Sequence, residues 1–209
     1  MDMKHLAAVS IALLTLVACR ADAAPKLASG EKMSPMPTVK SPSGKTEVAI
    51  LAGGCFWGME NVMRGAKGIL SMEVGYAGGK NTNVSYEDVS EGDTGHAESV
   101  RVVFDPAQIS YADLLTHWYF RGHDPTSLDR QNNDVGTQYR SEIFATSPEQ
   151  AKVAKDVIVK IDATKKWGKP IVTKIEPAST FIKAEGYHQD YLIKNPNGYN
   201  DHFLRKFDF

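Results

Sequence analysis

The chain has 209 residues, 42% of them hydrophobic, which is enough to bury a core within a single domain. A formal net charge of −1 leaves no electrostatic case for nucleic acid or an anionic membrane surface as partner. Two cysteines, Cys19 and Cys55, are too few for a disulfide scaffold. The six histidines show neither i,i+4 pairing nor a CxxC companion, so no metal site is expected.

In chain order, residues 1–19 read as a targeting peptide: Lys4 precedes an apolar stretch over 6–17 that is too short to span a bilayer. Leu16-Val17-Ala18-Cys19 is similar to the lipobox of bacterial lipoproteins. That resemblance implies lipidation of Cys19 and export to the periplasmic face of a bacterial membrane, the lipid being the only membrane attachment. Ala21-Asp22-Ala23 offers ordinary cleavage instead, which would release a soluble periplasmic form. Either route removes Cys19 as a thiol. Residues 20–45, rich in Pro, Ser, Lys and Ala without apolar period, read as a flexible tether spanning on the order of 25–30 Å as coil. The folded domain is expected over 46–209.

Within it, residues 47–52 read as a buried strand and 57–63 carry apolar residues at helical spacing. Cys55 falls between them on a glycine-flanked turn, facing the positive end of the helix dipole, a setting that favours thiolate. Phe56 and Trp57 then read as walls of a pocket. A small apolar core cysteine is the plainer alternative, and the glycines weigh against it. Residues 69–76 form the next strand. Residues 97–104 alternate, with Glu98 on the same face as Val100, Val102 and Phe104. A carboxyl so placed is desolvated and held protonated, ready to act as a general acid, unless it lies at a solvent edge. Ser110 caps a helix, 142–145 is a short strand, and Ser147 with Pro148 opens another helix. A strand over 171–175 and a final helix over 184–194 complete a two-layer α+β sandwich.

Four segments, Gly54-Cys55-Phe56-Trp57-Gly58, Gly92-Asp93-Thr94-Gly95-His96-Ala97-Glu98, Gly136-Thr137-Gln138-Tyr139-Arg140-Ser141 and Tyr187-His188-Gln189-Asp190-Tyr191-Leu192, resemble the signature blocks of A-type peptide methionine sulfoxide reductases. The resemblance covers about residues 46–199 and implies a ferredoxin-like sandwich that uses no cofactor. It implies that Cys55 is the nucleophile, that Glu98 protonates the sulfoxide oxygen, and that Tyr86 and Tyr139 donate hydroxyl hydrogens to it. Phe56 and Trp57 would cage the substrate methyl, and Asp134 would support the Tyr139 side of the pocket. The implied substrate is the S epimer of methionine sulfoxide, free or within proteins, and the implied reductant a thioredoxin-like protein or a small thiol. Asn200 stands where many relatives carry a resolving cysteine, so the chain resembles a one-cysteine member. Two other classes compete: a cysteine hydrolase or acyltransferase with His96 or His188 as base, and a lipoprotein whose aromatic pocket binds a ligand without catalysis.

Overall fold

The computed structural model describes residues 40–207 and 209. Cys19, the segment expected to be a targeting peptide and most of the expected tether lie outside the described residues. The strands are β1 (Glu47–Gly53), β2 (Ile69–Ala77), β3 (Ala97–Phe104), β4 (Arg130–Gln131), β5 (Asp134–Val135), β6 (Ser141–Ala145), β7 (Lys174–Pro177) and β8 (Ile182–Lys183). The helices are α1 (Phe56–Met63), α2 (Tyr86–Ser90), α3 (Tyr111–Leu114), α4 (Phe120–Gly122), α5 (Pro148–Ala163) and α6 (Tyr191–Lys194), with a π-helical stretch Leu115–Tyr119 joining α3 to α4.

Six strands make one sheet in the order β7-β6-β1-β3-β2-β8, antiparallel except for the β6–β7 pair. Strand alternation divides its two faces. Ala49 and Leu51 of β1, Met72 and Val74 of β2, Val100, Val102 and Phe104 of β3 and Ile143 of β6 join α1, the α3–α4 segment and α5 in the main core. The opposite face carries a smaller cluster of Ile50, Ala52, Ala77, Ala97 and Phe144. Helices cover one face of one sheet, which is the two-layer arrangement expected from the pattern of elements.

Local chemistry explains most boundaries. Ser147 accepts from the Gln150 amide and Pro148 occupies the first helical position, so α5 begins where its sequence reads. Ser85 and Asp88 close a capping box around the start of α2, a helix the sequence reading did not identify. Two expected elements change. The strand assigned to 171–175 pairs only from Lys174, because the β6 partner Glu142 meets the chain there. The helix expected over 184–194 is confined to Tyr191–Lys194. Upstream of it, Gln189 takes over the hydrogen bonds: its side chain donates to the Val74 and Ala184 carbonyls and accepts from the Val74 amide. Asp190 then turns left-handed at φ 53°.

Candidate active site

β1 ends at Gly53, and α1 begins at Phe56, so Cys55 occupies the N-cap position of an eight-residue helix. The turn is shaped by Gly54 at φ +97°, where a Cβ would also lie 2.6 Å from the Cβ of Gln131. Pairing of Ala52 with Ser99 brings the start of β3 level with this turn. Glu98 therefore reaches across, and its Oε2 accepts from the Phe56 amide at 3.0 Å. One of the exposed N–H groups at the helix start is thus satisfied by the carboxyl expected to serve as acid.

Glu98 is 2% exposed. Burial, opposed by the Phe56 amide and reinforced by the charges of Asp134 and Asp201, pushes its carboxyl up to about 8. At neutral pH it carries its proton. The solvent-edge alternative for Glu98 does not hold. Cys55 is 1% exposed and lies in one contiguous buried cluster with Phe56, Trp57, Tyr76 and Tyr139, against which Tyr86, Tyr191 and Tyr199 pack. Asp134 is fully buried and accepts from the Tyr199 hydroxyl at 3.1 Å. The structure sets Glu98 on the Phe56 amide beside Cys55; Phe56, Trp57 and Tyr86 around the His188 ring; and Asp134 close enough for its charge to act on Glu98, while Tyr139 is buried in the same core.

Several residues given no role in the reductase reading complete the site. The Trp57 indole stacks on Tyr191 with centroids 3.7 Å apart and planes at 13°. Its N–H donates to His188 Nδ1 at 3.1 Å. An accepting Nδ1 requires the neutral imidazole with its hydrogen on Nε2, in keeping with burial pushing His188 down to about 4. Glu185 ties two tyrosines together, accepting from the Tyr76 hydroxyl at 2.8 Å and from the Tyr86 amide at 3.0 Å. These partners lie in the Tyr187–Leu192 block and just before it. Their residue types were visible in the sequence, but which of them would meet Trp57 depends on the turn at Asp190.

The competing hydrolase reading needs a histidine base. His188 has its Nδ1 committed to Trp57, and His96 packs against Gly79. What the geometry does offer is a free cysteine sulfur at a helix start, a neutral carboxyl beside it and an aromatic enclosure. That combination fits attack on an electrophile whose oxygen must be protonated.

The model of the peptide methionine sulfoxide reductase family matches residues 47–207. The peptide methionine sulfoxide reductase MsrA of Deinococcus radiodurans is 54% identical over 155 residues, 74% of this chain and 75% of that protein. The reduced form of Mxr1 from Saccharomyces cerevisiae superposes with a TM-score of 0.72 at 42% identity, covering 81% of this chain and 98% of the yeast one. Mxr1 in complex with Trx2 superposes with a TM-score of 0.52 at 31% identity, covering 81% and 97%. With its buried Cys55, its neutral Glu98 and these relatives over nearly the whole described domain, the chain belongs to the peptide methionine sulfoxide reductase family.

Proposed function

We propose that the chain reduces the S epimer of methionine sulfoxide, free or within proteins, with Cys55 as nucleophile and Glu98 as proton donor. The Cys55 thiolate attacks the sulfoxide sulfur. The oxygen takes a proton from Glu98 and ends on the cysteine sulfur, giving a sulfenic acid and releasing the thioether. Tyr86 and Tyr139 serve as hydroxyl donors to that oxygen, where charge accumulates as the bond breaks. Phe56 and Trp57 enclose the methyl group, and Asp134 steadies the Tyr139 side through Tyr199. The observation that carries the reading is the neutral, buried Glu98 carboxyl bonded to the amide that follows Cys55.

The sulfenic acid is returned to thiol by a thioredoxin-type donor. The yeast relative in complex with Trx2 supports that assignment. The lipobox-like Leu16-Val17-Ala18-Cys19 supports an exported, lipid-anchored protein whose tether holds the domain away from the membrane. Mass spectrometry of Cys55 after one turnover with each sulfoxide epimer, before any reductant is added, tests the proposal. One oxygen gained with the S epimer alone is the expected result. No oxygen on Cys55 with either epimer would overturn it.

A further inference from the structure

The catalytic turn is gripped from outside by a side chain that the proposed chemistry does not use. His202 belongs to the C-terminal segment and is 5% exposed. Its ring enters between the two glycines that flank Cys55. A Cβ at Gly54 would stand 2.9 Å from His202 Cε1, and one at Gly58 would overlap the ring itself. Both positions leave room for an imidazole because neither carries a side chain.

The polar atoms of the ring are as constrained as its shape. His202 Nε2 lies 2.8 Å from the Gly53 carbonyl oxygen. A carbonyl only accepts, so Nε2 carries the hydrogen. Nδ1 lies 2.6 Å from Asp201 Oδ1. The segment that delivers His202 is itself fastened. Asn200 Oδ1 accepts from the His202 amide at 3.0 Å. Asn132 donates to the Asp201 carbonyl at 2.9 Å, and the Arg205 amide donates to the Arg121 carbonyl at 3.0 Å. The Tyr199 hydroxyl reaches Asp134. A residue 147 positions downstream of Cys55 is thereby held against the backbone on either side of it.

We propose that His202 is a positioning residue for the sulfoxide step, fixing the Gly53–Cys55 turn so that the sulfur meets the substrate at the right distance and angle. The proposal rests on the reductase reading given above. Misplacement of a reacting group by about 1 Å costs up to about 10²-fold in rate, and His202 holds the carbonyl two residues before the nucleophile. The contact acts through the backbone, so its loss falls on kcat and leaves substrate affinity nearly intact.

Replacing His202 by Gln, Asn and Leu separates positioning from packing. A Gln amide nitrogen takes the place of Nε2 and can donate to the Gly53 carbonyl. An Asn amide reaches only as far as Nδ1, and Leu fills the notch without a donor. The measurements are the single-turnover rate of sulfenic acid formation, KM for methionine sulfoxide and the melting temperature of each variant. We expect His202→Asn and His202→Leu to lose about 10- to 100-fold in kcat with KM little changed, and His202→Gln to recover most of the loss. If Leu does not fold, the Gln and Asn pair still decides. Equal rates for Gln and Asn, whether both near the wild type or both reduced, would overturn the proposal. A wild-type protein with no sulfenic acid product would instead count against the reductase reading.

Discussion

Glu98 shows how far a single side chain can be read from sequence. Alternation along 97–104 put it on an apolar face, and the structure puts its carboxyl at about 8 against an ordinary value of 4.5, chiefly through burial. Between those values the folded protein keeps a proton that the unfolded chain has lost. Its contribution to stability is therefore complete below about 4.5 and is lost as pH rises through about 8. On the proposed mechanism the same titration limits catalysis. The sulfoxide step is expected to slow above pH about 8 as the acid ionises. Glu98→Gln should lower the single-turnover rate by about 10²- to 10⁴-fold and abolish that alkaline limb. A pH profile of the variant parallel to that of the wild type would remove Glu98 from the proton transfer. What sequence did not disclose was the company Glu98 keeps. Asp201, whose charge raises it, lies more than a hundred positions away, and no local period points to it.

At the scale of elements, α1 and the segment before α6 work as a pair. Arg64, at the C-terminal end of α1, contacts Glu60 at 3.2 Å and Asp190 at 2.7 Å. Asp190 precedes Tyr191, whose ring covers Trp57. The Arg64 bridge thus secures the aromatic wall from below. Arg64→Met should cost more than the roughly 1 kcal/mol of a fully exposed pair, because it leaves the buried Glu60 carboxyl without its counter-charge. It should raise KM for the sulfoxide more than it lowers kcat, since what loosens is the enclosure and not the nucleophile. Steady-state kinetics beside a thermal melt would show this, and an unchanged KM would mean that the stack stands without the bridge. Where a sequence signal was local, it held: the strand period of β3 and the Ser147–Pro148 start of α5 are both realised. Where long-range bonds decide, it did not. Residues 184–190 have helical spacing on paper, but Gln189 binds β2 in preference to its own helix. β7 starts at Lys174 because β6 is there to pair with.

For the whole molecule the arithmetic of thiols sets the catalytic cycle. Cys55 has only Cys19 as a possible partner within the chain, and Cys19 belongs to the segment expected to be processed. Asn200, which the resemblance places where a resolving cysteine would stand, accepts from the His202 amide. Substrate without reductant should therefore yield one trappable sulfenic acid per chain at Cys55, and turnover should rise with donor concentration. A Cys19–Cys55 disulfide in the oxidised protein would overturn that scheme. The topology was legible because two layers follow from interleaved helices and strands. The docking of residues 199–205 was not, since its contacts come from loops far apart in sequence. The burial of Cys55 under its aromatic enclosure, 1% exposed, has a consequence for the enzyme's own survival. A sulfenic acid awaiting its donor is one oxygen away from irreversible damage, and a second oxidant must pass the side chains that bury Cys55. Peroxide added to the oxidised protein should convert Cys55 to the sulfinic acid slowly, and far faster once mild denaturant has opened the site. Intact-mass measurements over time would show it. The enclosure proposed to hold the substrate would then also let the repair enzyme work among the oxidants whose damage it reverses.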